Sequence, residues 1–223
     1  MVKTIVFLPG WSFKAQIWAG QEKYFSELGF RTILCELEEL DGYIKSTRLE
    51  ETVFIAWSLG WFRLLDVLKS SFSLPCAIVG VSAAIKFKKS LLRLMIQEFK
   101  KDHRKALSDF DSWLFSPEEK DSSGFGILNG LIAQSRINDK ERLLRDLLFL
   151  KALDLEGFLT TFRLPVFLVS GNKDIICPID EAMHLKPVLP DSQIKVMEAG
   201  HIPFLTSSAE FNHCIGSYLL SLR

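Results

Sequence analysis

The run Val53-Phe54-Ile55-Ala56-Trp57-Ser58-Leu59-Gly60-Trp61 constrains the fold of this chain more than any other stretch. A short β-branched and aromatic segment ends at the small residue Ala56, and a serine and then a glycine follow. An apolar pattern of helical spacing comes next. This is how a strand, a sharp turn with a serine at its tip, and a departing helix are written. Strand and helix pass very close at such a turn, so the positions two before and two after the serine must be small. Here they are Ala56 and Gly60, where glycine is usual at both. Small-x-Ser-x-Gly also arises by chance in many chains, so the turn needs partners elsewhere in the sequence.

Two later segments supply them. Val166-Phe167-Leu168-Val169-Ser170 reads as a strand and leads into Gly171-Asn172-Lys173-Asp174. Ile194-Lys195-Val196-Met197 reads as another and leads into Glu198-Ala199-Gly200-His201-Ile202-Pro203-Phe204. Asp174 and His201 therefore each follow the C-terminal end of a strand, where open α/β sheets form their ligand sites. A serine hydroxyl is a poor nucleophile at neutral pH and needs a base. His201 is the candidate base, and Asp174 would hold its tautomer and stabilise the imidazolium. The other histidines fit less well: His103 lies in a basic stretch, and His184 and His213 fall within helical patterns. Among other carboxylates, Asp180 precedes Glu181-Ala182-Met183 and reads as a helix N-cap. No acid follows the strand ending at Gly80. The competing reading of Asp174 is an Asx turn after Gly171-Asn172.

Acyl transfer also needs hydrogen-bond donors for a developing oxyanion. One would be the backbone N–H of Leu59, directly after the serine. The other would come from the loop after the first strand, Leu8-Pro9-Gly10-Trp11-Ser12, as the N–H of Trp11. The plainer reading of Trp11 is a packing residue in an ordinary strand-to-helix turn. Pro9 stands where a histidine would commonly precede the glycine.

The 223 residues suffice for one α/β domain with a sizeable core. Lys+Arg and Asp+Glu both number 27, so no overall field favours nucleic acid or an anionic membrane. No run approaches the roughly 18 apolar residues of a membrane span. No basic stretch with a long apolar core precedes the first strand, so no signal peptide is expected. Cys35, Cys76, Cys177 and Cys214 are scattered without metal-like spacing. They fit a reduced, cytoplasmic setting, and neither metal nor cofactor is expected.

Strands are expected at 3–8, 31–35, 52–56 and 76–80, with helices at 15–28 and 59–70. The acidic Glu36-Leu37-Glu38-Glu39 reads as a solvated loop. Alternating strands and helices argue for a mostly parallel sheet flanked by helices. From about residue 84 strand-like runs disappear, and patterns such as Leu143-Leu144-Arg145-Asp146-Leu147-Leu148 are helical. The expected organisation is a core in two parts, 1–83 and 163–223, with a helical cap inserted at 84–162. A final helix is expected from about 207 to 221.

Together these segments resemble the α/β-hydrolase superfamily, whose chain order is also Ser…Asp…His. More narrowly, Pro9-Gly10-Trp11…Trp18, Ala56-Trp57-Ser58-Leu59-Gly60, Gly171-Asn172-Lys173-Asp174…Pro178 and Gly200-His201-Ile202-Pro203-Phe204 are similar to the pimeloyl-[acyl-carrier protein] methyl ester esterases of biotin synthesis. The resemblance covers about two thirds of the chain, mostly the core. It implies hydrolysis of a methyl ester on an acyl chain borne by acyl-carrier protein. Ser58, Asp174 and His201 match the family's triad, and Trp11 and Leu59 its substrate-contacting oxyanion positions. Pro9 and Ala56 depart from the family pattern, and substrate choice resides in the unaligned cap.

The cap carries its own signal. Lys86, Lys88, Lys89, Arg93, Lys100, Lys101, Arg104 and Lys105 crowd into residues 86–105 against only Glu98 and Asp102. Read as a docking surface, this patch would steer an acidic carrier protein to the mouth of the site. Read plainly, it is a solvated helix face. Three functions thus stay in view: an esterase for a carrier-linked ester; a hydrolase of small free esters, thioesters or a carbon–carbon bond; and a hydrolase-like binding module.

Overall fold

The β-branched and aromatic runs form six strands: β1 (Thr4–Leu8), β2 (Arg31–Leu34), β3 (Thr52–Trp57), β4 (Ala77–Val81), β5 (Val166–Gly171) and β6 (Gln193–Met197). The computed structural model describes residues 2–222. All strand pairs are parallel, in the order β2-β1-β3-β4-β5-β6. β3, β4 and β5 are buried at every position, which is why they read as unbroken apolar runs rather than alternating ones. The edge strands β2 and β6 are partly exposed.

Helices occupy the connections. A 3-10 turn at Ala15–Trp18 leads into α1 (Ala19–Glu27), and α2 (Leu40–Ser46) and α3 (Leu59–Leu68) flank β3. Between β4 and β5 the chain is helical: α4 (Lys89–Lys101), α5 (His103–Trp113), α6 (Pro117–Lys120), α7 (Phe125–Gln134), α8 (Lys140–Ala152) and α9 (Glu156–Thr161). After β5 come α10 (Ile179–Leu185), α11 (Pro203–Thr206) and α12 (Ser208–Ser221).

The strand order fixes where a site can lie. β1 pairs with β2 on one side and β3 on the other, so the chain reverses direction across the sheet at β1. The loops leaving β1 and β3 diverge there and open a crevice at the carboxyl ends of the strands. The inserted helices cover that edge. Trp11 in the β1 loop packs edge-on against Phe99 of α4 and Phe110 of α5. Its indole N–H donates to the carbonyl of Leu143 in α8 at 3.0 Å. Arg63 of α3 pairs with Asp146 of α8 at 2.7 Å and lies 3.7 Å over the Phe149 ring.

Three local expectations are corrected. Asp180 is not an N-cap: Pro178 holds that position of α10, and Asp180 lies in the first turn, where a carboxylate complements the helix N-terminus. The acidic stretch is not simply solvated. Glu36 accepts the Ala15 N–H at 2.8 Å, and Arg142 of α8 reaches across to both Glu36 and Glu38. Two carboxylates two residues apart in a loop gave no sign of a partner more than a hundred residues away. Lastly, α2 was unforeseen, being a short helix of about two turns held by burial of Leu40 and Ile44.

Candidate active site

The turn after β3 places Ser58 at φ 50° and ψ −112°, a conformation that L-residues rarely adopt. It persists because its surroundings over-determine it. The Ser58 N–H donates to the Val81 carbonyl at 2.9 Å, and its own carbonyl accepts from Trp61 at 3.0 Å. A Cβ at Gly60 would lie 2.7 Å from the Pro9 carbonyl oxygen, so only glycine lets the helix leave this close to the β1 loop. Ala56, two residues earlier, is fully buried with its methyl accommodated.

Asp174 and His201 meet. His201 Nδ1 and Asp174 Oδ2 are 2.7 Å apart, with both side chains removed from solvent. The other Asp174 oxygen accepts the N–H groups of Ile176 and Cys177, each at 2.9 Å. The Asx turn and the histidine contact are thus made at once, one by each oxygen. A carboxylate can only accept, so Nδ1 is the donor in this pair, and in the neutral imidazole Nε2 is then the acceptor. Nε2 is buried and has no hydrogen-bond partner among the described residues. No hydrogen bond joins it to Ser58 Oγ; contacts of this kind are commonly long before substrate arrives and tighten in the complex.

The histidine turn lies against the serine turn. The carbonyl of His201 accepts from the indole of Trp57, the residue before Ser58, at 3.0 Å. It also accepts from the hydroxyl of Ser82 at 3.1 Å. Ser82 follows β4, is fully buried and has φ 49°. The Trp57 and His201 ring centroids are 5.6 Å apart. Neither the Trp11 nor the Leu59 backbone N–H finds a protein acceptor among the described residues. The site is closed: Ser58 is 4% exposed, Trp11 4% and His201 0%.

His103, His184 and His213 begin α5 or lie within α10 and α12, and His201 is the histidine that pairs with Asp174. The eight basic residues are all exposed, on α4, its lead-in and the start of α5. Lys89, Arg93 and Lys100, at i, i+4 and i+11, share one exposed helix face, turned away from the face that buries Leu92, Met95 and Phe99 by roughly a third of a turn. Lys86 pairs with Glu156 at 3.6 Å and Lys105 with Asp109 at 2.5 Å, while the other six meet no carboxylate among the described residues. Lys105 also rims a cavity of about 260 Å³ whose wall includes Trp11, Leu94 and Met95. Among the described residues no cluster of histidine, cysteine or acidic side chains could hold a metal ion.

A parallel six-stranded sheet, a strained serine after its third strand, and an Asp–His pair after its last two make one recognisable architecture. An esterase from Exiguobacterium antarcticum superimposes with a TM-score of 0.81 at 18% identity, over 97% of this chain and 91% of its own. The enol-lactonase from Burkholderia xenovorans LB400 does so at 0.83 and 16%, over 99% and 92%. The chain has the α/β-hydrolase fold. In sequence this α/β-hydrolase-fold protein is 21% identical to a pimeloyl-[acyl-carrier protein] methyl ester esterase of Vibrio vulnificus over 238 residues, 96% of this chain and 93% of that one. No family profile matches it.

The residues that sequence reasoning missed are those acting through others. Trp57 enters the sequence reading only as part of the serine-turn segment and Ser82 not at all, since nothing local marks a hydroxyl as a donor to a carbonyl 119 residues away. Glu119 belongs to the same class. Its signal was the capping box Ser116-Pro117-Glu118-Glu119, which marks a helix start and says nothing of what else the carboxylate holds.

Proposed function

We propose that this chain is a serine carboxylic ester hydrolase with Ser58 as nucleophile, His201 as general base and Asp174 as its orienting acid. The observation that supports this reading is the buried Asp174–His201 hydrogen bond, on a turn whose His201 carbonyl accepts from the indole of Trp57, the residue before the strained Ser58. In the first step Nε2 takes the Ser58 proton as Oγ attacks the ester carbonyl carbon. The carbonyl oxygen becomes negative and takes the Trp11 and Leu59 amide N–H groups, which have no other acceptor among the described residues. The tetrahedral adduct collapses, the C–O bond to the alcohol breaks, and the imidazolium returns the proton to the leaving alkoxide. Water then enters, loses a proton to Nε2 and releases the acid from the acyl-enzyme by the reverse sequence.

For the substrate, we infer the methyl ester of an acyl chain on acyl-carrier protein, with pimeloyl as the acyl group. Relatives at 21% to 24% identity that are named pimeloyl-[acyl-carrier protein] methyl ester esterases support this. So does the exposed basic face of α4, which suits an acidic carrier. Residues 84–162 are the cap that selects that substrate, and Lys105 joins the basic face to the cavity beside Trp11. The four free cysteines fit a reducing compartment such as the cytoplasm.

Reversing charge at Lys88, Lys89, Lys100 and Lys101 to Glu tests the carrier. The KM for an acyl-carrier-protein methyl ester rises on the order of tenfold or more, and added salt does the same to the wild type. Turnover of a p-nitrophenyl ester stays near wild type. An equal response of both substrates would make the face merely solvated and favour a hydrolase of small free esters. Failure of Ser58 to react with a fluorophosphonate would leave a binding module instead.

A further inference from the structure

The backbone of the histidine turn is seated on the inserted helices, and one carboxylate makes the seat. The Gly200 N–H lies 3.1 Å from each oxygen of Glu119. The Ser116 N–H donates to the same carboxylate at 2.7 Å. The next amide, His201 N–H, donates to the carbonyl of Leu114 at 2.9 Å. The fit is close: a Cβ at Gly200 would lie 2.6 Å from the Leu114 oxygen and 2.9 Å from Glu119 Oε2. Residues 114–119 thus grip the N-terminal side of His201, while Trp57 and Ser82 grip its carbonyl.

Helix capping accounts for only half of what Glu119 does. A capping box needs the Ser116 N–H bond and the reciprocal bond from the Glu119 N–H to the Ser116 hydroxyl, here 3.2 Å. It does not need a partner 81 residues on. The bond to Gly200 is charge-assisted and therefore stronger than its neutral counterpart. Asp174 fixes one ring nitrogen of His201 but not the position of its backbone. Displacing a catalytic group by about 1 Å costs on the order of 100-fold in rate.

We propose that Glu119 is a positioning residue that holds the His201 turn in place from the inserted helices. This rests on His201 being the general base.

The test compares Glu119→Ala, Glu119→Gln and Glu118→Ala in the full chain. Glu118 is the exposed neighbour that pairs with Lys173 at 3.3 Å. With p-nitrophenyl acetate, Glu119→Ala lowers kcat roughly 10- to 100-fold and leaves KM within about twofold. Glu119→Gln recovers several-fold of that loss, because its carbonyl still accepts from Gly200. Glu118→Ala behaves as wild type. The low-field proton resonance of the Asp174–His201 hydrogen bond broadens in Glu119→Ala and not in Glu118→Ala. A Glu119→Ala protein that melts earlier yet keeps kcat and the resonance would overturn the proposal and leave a plain helix cap. Equal losses in Glu118→Ala would overturn it too. Should Glu119→Ala not fold, Glu119→Met, which keeps the bulk of the side chain and removes its acceptor, decides: an unchanged resonance and pH–rate profile count against positioning. The resonance needs no turnover, so a wild type that hydrolyses no ester and ignores a fluorophosphonate would refute the esterase reading separately.

Discussion

At Ser58 the backbone stores strain where the chemistry would occur. A conformation of φ 50° and ψ −112° costs on the order of 1–3 kcal/mol, and the neighbouring turn contacts hold it. Ser58→Ala keeps the turn and removes the hydroxyl. Its circular dichroism should match wild type while turnover of a p-nitrophenyl ester falls on the order of 10⁴-fold or more. Near-normal turnover would remove Ser58 from the mechanism. The cysteines behave oppositely. Burial pushes the Cys177 thiol well above its ordinary value, with Asp174 adding to the shift, and pushes Cys35 up to about 12. A raised thiol pKa means less thiolate at neutral pH, and thiolate is the reactive form. Iodoacetamide at pH 8 should therefore leave Cys35 and Cys177 unmodified in the native protein, as peptide mapping would show. Rapid alkylation of Cys177 would mean that the region opens freely.

At the scale of elements, two junctions carry most of the design. Where β3 meets α3, the Gly60 position faces backbone, not a movable side chain, since its Cβ would press on the Pro9 carbonyl. Gly60→Ala should destabilise by about 1–3 kcal/mol, measured by urea unfolding, whereas Ala56→Gly changes a site that already holds a methyl. An equal, small effect of both would show that the β1 loop yields. Where α3 meets α8, Arg63 pairs with Asp146, whose side chain is only 9% exposed. Arg63→Ala leaves that carboxylate buried and unpaired, at about 3 kcal/mol, and should lower Tm on the order of 10 °C. Lys45→Ala removes an exposed pair with Asp41 and should shift Tm by about 1 °C or less. Comparable shifts would mean that Asp146 finds water or another donor.

Across the whole molecule, the sheet and the inserted helices share one apolar core. The same cluster runs from Ile5 and Val79 through Trp11 to Phe99, Phe110 and Leu143. Shared burial makes the two unfold together. Tryptophan fluorescence and far-ultraviolet dichroism should therefore give superimposable urea transitions, and a separate early transition of the helices would contradict a common core. Charge is distributed less evenly than packing. Acidic and basic residues balance at 27 each, yet the exposed face of α4 is basic, so salt should act on that face and barely on stability.

The sequence by itself determined the alternation of strands and helices, the serine turn, and Asp174 and His201 at strand ends. Each of these is written locally, in β-branched runs, small residues and turn chemistry. It also marked the helical character of the insertion, because a 3.6-residue apolar period needs no knowledge of neighbours. Only the tertiary structure decided that one Asp174 oxygen holds His201 while the other closes a turn. It alone paired Arg142 with Glu36 and Glu38, and set Ser82, Trp57 and Glu119 around the His201 backbone. The physical reason is range: periodicity and turn signals act within a few residues. A buried hydrogen bond or ion pair acts between groups that the chain's topology brings together from a hundred residues apart, and nothing in either local sequence names the other.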